Sequence, residues 1–286
     1  MTTKPFYWSV KREVWENRSV LVVPACAAVL FLVAFALNLP GLPDALSAID
    51  PSQVAGRMIK PYRIACFLLT FASLFTGLFY SLDALHGERR DRSILFWKSM
   101  PVSDRVTVLS KAFIPLVLLP VVTLAACFAT EAVMLVLTAG MLLAAGSPLA
   151  PLQQMPLLGL TGEMAAGVAV LAIWQAPIHA WLLLVSGWAR RGVILWAGLL
   201  PVAACLFETM AFHTQHLLGL MMNRLTAGLM GESLLGEQLK MAGFFDRFAQ
   251  LSPGHLAADP NLWLGLIPTA LLLAGAVASR RYRQPI

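Results

Sequence analysis

Six long apolar runs, separated by short cationic patches, constrain this chain more than any other feature. A bilayer hydrocarbon core of about 30 Å takes about 20 helical residues to cross. Runs of that length lie at about 20–39, 64–85, from just after Lys111 to 140, 163–188, 193–212 and 262–279. No water reaches the backbone inside a bilayer, so each run must satisfy its own N–H and C=O groups as a helix. Composition points the same way. Hydrophobic residues make up 58% and charged residues 13%, about half the charge of an ordinary soluble domain. Too little polar surface is left to cover a globule in water. The expected fold class is an all-α integral membrane protein with six transmembrane helices. No repeat or linker divides residues 1–286, so a single domain is expected.

The net charge of +6 would suit nucleic acid if it gathered on one face, but it is dispersed between the runs. With the N-terminus inside, 15 of the 21 Lys and Arg residues fall in cytoplasmic segments, among them Lys4, Lys11, Arg12, Arg18, the group from Arg89 to Lys111, Arg190, Arg191, Arg280, Arg281 and Arg283. Arg57, Lys60, Arg63, Arg224, Lys240 and Arg247 fall outside. The positive-inside rule places both termini in the cytoplasm, and an even number of spans agrees. No nucleic-acid partner is expected. Nor is a cleavable signal peptide, because the first run is too long and follows a charged, aromatic segment.

Three stretches do not span. Residues 4–18 read as an amphipathic helix lying in the membrane interface, with Phe6, Tyr7, Val10 and Val14 on one arc and Trp8 and Trp15 at headgroup level. Residues 86–111 are the most polar stretch. Within them, 91–100 read as a short helix ended by Pro101, with Ile94, Leu95, Phe96 and Trp97 set among charges. Four adjacent large apolar residues in a loop require a cover, either a protein or the bilayer surface. Residues 213–261 are too apolar for a free loop but are interrupted by Arg224, Glu232, Glu237 and Lys240. They read as short helices that dip into the outer leaflet or cap the bundle.

The loop His-Gly-Glu-Arg-Arg-Asp-Arg-Ser-Ile-Leu-Phe-Trp-Lys-Ser-Met-Pro-Val-Ser-Asp-Arg at 86–105, followed by Ser110-Lys111, resembles the ABC-2 type permease family. The layout is also similar to that family: an N-terminal interfacial helix, six spans, and helices between spans five and six. Phe96-Trp97 departs from it, since many members carry Glu-Leu or a similar pair there. The resemblance implies the membrane subunit of an ATP-binding cassette exporter in a bacterial inner membrane. It implies a separate ATPase subunit holding ATP and Mg, and a second permease copy or a similar permease. Glu88, Arg89, Arg90, Asp91, Arg92, Ile94, Leu95, Phe96, Trp97 and Lys98 would then form the coupling element that docks on the ATPase. The chain itself lacks the GxxxxGK[ST] loop that cradles nucleotide phosphates, so it is not expected to be an enzyme or to hold a cofactor.

Other readings stay open. The loop could equally recruit a cytoplasmic partner to a non-transporting adaptor or sensor subunit. An ion-coupled carrier would instead show inverted repeats and broken helices. Glu131 and Glu208 lie within the third and fifth runs, where an ionisable group is costly and faces a cavity, a partner or the headgroups; both are candidates for a substrate path. The apolar spans favour an amphipathic or lipid-like substrate, such as a membrane-active peptide or drug. His213, His216 and His255 do not complete a diagnostic metal-ligand set. Trp174, His179 and Trp181 could face substrate or pack the bundle. Pro115, Pro120, Pro177, Pro201 and Pro268 interrupt runs and could act as hinges. Cys26, Cys66, Cys127 and Cys205 show no CxxC spacing and read as small core residues.

Overall fold

A computed structural model of the chain describes residues 4–47, 50–91, 93, 102–146, 148–153, 157–226, 254 and 258–282. Among these there is no strand. The helices are α1 (Lys4–Glu16), α2 (Ser19–Asn38), α3 (Leu42–Ser47), α4 (Pro51–Asp83), α5 (His86–Arg90), α6 (Asp104–Phe113), α7 (Leu119–Ala144), α8 (Ala150–Gln153), α9 (Leu157–Trp174), α10 (Ala176–Trp188), α11 (Val193–Phe212), α12 (His216–Thr226), α13 (Pro260–Leu264) and α14 (Leu266–Tyr282). Five helical stretches are long and apolar enough to cross a membrane, and the pair α9–α10, bent by 43°, makes a sixth when read as one span. The chain is thus an all-α protein with the span pattern of a multi-pass membrane protein. The outward faces suit lipid: Leu30, Leu37, Val136, Leu195 and Met210 are all exposed.

The second and third spans are longer than the hydropathy runs suggest. Helix α4 begins at Pro51, not near 64, because the cationic residues Arg57, Lys60 and Arg63 continue it rather than end it. The third stretch runs continuously over Asp104–Ala144, about 60 Å at 1.5 Å per residue, twice the hydrocarbon thickness. Its first part, α6, is amphipathic and lies beside α1. Between α6 and α7 the helix widens into a π segment, Ile114–Leu118. Pro115 and Pro120 supply no N–H, and the Leu119 N–H reaches back five residues to Ile114 O.

The break in the fourth span has a local cause. Pro177 cannot donate, and the Ile178 N–H turns to Gln175 O at 3.0 Å. That leaves Trp174 O without a helical donor. Arg224, from α12, supplies one at 3.3 Å and stacks its guanidinium over the Trp174 ring at 4.8 Å. The same guanidinium donates to Asn261 O, and a Cβ at Gly265 would come within 2.6 Å of Arg224 Cζ. Trp174 is therefore a packing anchor. Pro201 and Pro268, by contrast, lie in α11 and α14 without breaking them.

Packing within the bundle is built on helix pairs. One core joins Met58, Tyr62, Ala65, Met134 and Leu142 across α4 and α7. Another joins Leu85, Val108 and Ala276, bringing the ends of three spans together. Where α10 packs on α14, an added Cβ at Gly187 would lie 3.6 Å from Ser279 Cβ, and one at Gly275 would lie 3.2 Å from Leu184 Cδ1. Buried hydroxyls bond back to their own helices, as Thr70 does to Cys66 O at 2.8 Å and Thr138 to Met134 O at 2.7 Å. This disposes of polar groups where no water can.

Candidate functional site: a buried ion cluster beneath the polar loop

Helix α1 lies against α6 through Phe6, whose ring meets Phe113 edge-on at 5.6 Å, and through Val10 and Val14, which cover Val20, Tyr80, Ile114 and Leu119. Tyr7, expected on this arc, is exposed instead. Tyr7, Trp8 and Trp15 form the opposite face, where Lys11 Nζ sits 5.0 Å and 4.8 Å from the two indole centroids. The residue at the centre of the packed face is Glu13. Seven residues after Phe6, it falls only about 20° from it around the helix.

Glu13 is wholly buried. Lys111 Nζ lies 2.9 Å from its Oε1 and 3.0 Å from its Oε2, and the Tyr80 hydroxyl donates to Oε2 at 2.9 Å. Arg12 pairs with its Oε1. The network then extends to Glu88, 7% exposed, whose Oε1 takes Lys111 at 3.2 Å and Arg12 at 3.1 Å and whose Oε2 takes Arg280. Arg280 Nε completes it with Asp104 Oδ1 at 3.1 Å. Three carboxylates thus meet three cations. Burial pushes the Glu13 carboxyl up, but Lys111 and Arg12 outweigh it and hold the group below its ordinary 4.5. Such a cluster adds little net stability when complete, yet removing one member strands a buried charge.

The elements that meet here are the N-terminal helix, the end of the second span, the start of the third and the end of the sixth. The fourth joins through backbone contacts. Arg89 donates to Gly187 O and Ala189 O, both at 3.0 Å, neutralising the carbonyl end of α10. Ser186 Oγ accepts from the Leu85 and His86 N–H groups at 3.0 and 2.9 Å, closing the open N-terminus of α5. These five chain segments therefore lie at one end of the bundle.

Of the residues expected to form the coupling element, Glu88 and Arg89 face inward and bind their own chain. Arg90 and Asp91 are on the surface, paired with each other at 3.1 Å, and Arg90 also lies 3.6 Å from Asp83. Arg92, Ile94, Leu95, Phe96, Trp97 and Lys98 lie outside the described residues, as do His255 and positions 227–253 of the outer segment.

The two candidate acids of the spans have different surroundings. Glu208 accepts from the His216 and Leu217 N–H groups at 2.9 and 2.8 Å and from Thr214 Oγ1 at 2.9 Å. It caps the N-terminus of α12 from a neighbouring helix. His213 ends α11 in the left-handed region with φ 54°, reversing the chain toward that cap. Glu131 is 7% exposed, and its Oε1 is buried without a hydrogen-bond partner among the described residues, as is the Tyr62 hydroxyl. Cys66 and Cys127, expected as separate core residues, meet with sulfurs 3.6 Å apart. His179 is fully enclosed, its Nδ1 3.1 Å from Ser81 Oγ. With Thr70, Ser73, Thr123 and Gln175 it lines a cavity of about 30 Å³ beside the π segment, room for a water or two.

The chain matches no known protein family, no characterised protein and no solved structure in comparisons with each.

Proposed function

We propose that this chain is the membrane-spanning subunit of an ATP-driven exporter, its ATPase carried by a separate polypeptide and its functional unit completed by a second copy or a similar permease. The observation that carries the reading is the ion cluster, because it binds the base of the polar loop, through Glu88, to α1 and to the ends of three spans. A partner that grips 91–100 and pulls would act on a rigid joint. The force would reach the second span through Glu88, the third through Lys111 and the sixth through Arg280 as one movement. A loop designed only to recruit a partner has no need of such a joint, which sets the exporter above the adaptor reading.

The broken fourth span is a feature shared with ion-coupled carriers. Here, however, the freed carbonyl is taken by Arg224 and the adjoining cavity holds little more than a water. The six spans, interfacial α1, coupling helix at 91–100 and outer-leaflet helices complete the proposed architecture, in a bacterial inner membrane with both termini cytoplasmic. The substrate class is amphipathic or lipid-like.

The test is transport. The permease is reconstituted in liposomes with the ATPase it purifies with, and movement of a fluorescent amphipathic probe is followed with ATP and with a non-hydrolysable analogue. Movement that requires ATP hydrolysis supports the exporter. A complex that binds nucleotide yet moves nothing with a panel of amphiphiles supports the adaptor.

A further inference from the structure

At the end that holds α1, Arg12, Lys111 and Arg280 pair with Glu13, Glu88 and Asp104. At the far end, Arg57 and Lys60 project from the first turns of α4, and among the described residues neither takes part in an ion pair. The positive-inside rule disfavours cations there, so their presence needs a cause.

The geometry supplies one. Arg57, Lys60 and Ile64 follow one another at helical spacing on a single face of α4, while Met58, Tyr62 and Ala65 take the inward face. Opposite stands a matching face of α2, with Phe31, Phe35 and Asn38. The two faces enclose an open groove of about 330 Å³, within the ordinary range of small-molecule sites. Its walls are apolar toward the bundle centre, and its rim carries two cations and an amide. Asn38 already gives one N–H to Ala34 O at 2.8 Å, which holds the side chain at the rim.

We propose that this groove binds an anionic phospholipid of the surrounding bilayer. The phosphate sits between Arg57 and Lys60, and the acyl chains lie along Phe31, Phe35 and Ile64. A free anion would use the cations but gain nothing from the apolar walls. A zwitterionic lipid would use the walls but bring its own positive charge to the rim. Of these, the anionic lipid satisfies both, and it neutralises the two cations that have no ion pair among the described residues. The site does not depend on the exporter reading and can hold whether or not the chain transports.

Native mass spectrometry of the full-length protein in detergent tests it, with phosphatidylglycerol and phosphatidylcholine as the probes. Wild type is expected to retain phosphatidylglycerol about thirtyfold more tightly than phosphatidylcholine, the order of effect that two membrane-surface cations produce. The double variant Arg57→Gln, Lys60→Gln is expected to lose that preference, and Arg57→Lys, Lys60→Arg to keep it. The control Arg190→Gln, Arg191→Gln removes the same charge at the other end and should leave the preference intact. Equal retention of the two lipids by wild type, or a preference that survives Arg57→Gln, Lys60→Gln, would overturn the proposal. A preference lost equally in the Arg190 and Arg191 control would overturn it too, by showing only a response to total charge. Thermal melts of each variant confirm that a lost preference is not a lost fold.

Discussion

Glu13 and Lys111, 98 residues apart in the chain, meet in a fully buried contact in which the ammonium lies 2.9 Å from one carboxylate oxygen and 3.0 Å from the other. No water competes for either group, so each depends on the other. Changing Glu13→Gln or Lys111→Met alone should cost about 3–5 kcal/mol, the usual result of stranding a buried charge. The double variant should cost clearly less than the two added together. Thermal unfolding of the solubilised protein measures this, and additive losses would show that the pair does not act as a unit.

The same contact makes α1 docking sensitive to acid. Because the folded-state carboxyl of Glu13 titrates below its ordinary 4.5, its contribution is fully present above that value and is lost as pH falls through the folded-state value. At neutral pH, α1 should stay seated. As pH falls below that ordinary value and through the folded-state one, it should detach, and amide exchange over 6–16 should rise before the spans open. In Glu13→Gln this acid transition should vanish.

Glu208 predicts a local effect. Its carboxylate takes two amide donors at the start of α12, so Glu208→Ala should loosen the first turn of α12, as loss of a helix cap does. The His216 and Leu217 amides should exchange faster while the spans stay unchanged. Hydrogen exchange across the whole fifth span would instead give Glu208 a wider role.

Cys66 and Cys127 offer a direct check on how the second and third spans pack. With sulfurs 3.6 Å apart, the two thiols should form a disulfide under a membrane-permeant oxidant such as iodine. Peptide mass spectrometry of the oxidised protein should find 66 linked to 127, and no such link with Cys26 or Cys205. Absence of the link under complete oxidation would mean that the two spans are packed differently.

Much of this architecture is legible in the residues themselves. The fifth span matches its apolar run because Gly192 and the turn at His213 bound it on both sides. The second does not, because Arg57, Lys60 and Arg63 look like an end to a hydropathy count, whereas a helix outside the hydrocarbon carries charge at no penalty. The ion cluster is not among the sequence-based expectations, although one member leaves a signal. Helical spacing puts Glu13 in the middle of the apolar arc of α1, and an acid in that position needs a buried cation. Which cation it finds is beyond local pattern, since Lys111 and Arg280 reach the site only through the packing of distant spans. Lys111 and Arg280 read as topology signals when only the chain order is known. The Trp174–Arg224 clamp is of the same kind: Pro177 announces a break, but not the side chain that repairs it.

The central claim is that the polar loop delivers the work of a separate ATPase to the spans. The most direct measurement is purification of the tagged chain from mild-detergent membranes, with its companions identified and ATP hydrolysis assayed, beside a variant carrying Phe96→Ala and Trp97→Ala. The account predicts a stoichiometric ATPase with the wild-type chain and its weakening or loss with the variant, while both proteins melt alike. A wild-type chain that retains no ATPase under several gentle conditions would contradict it.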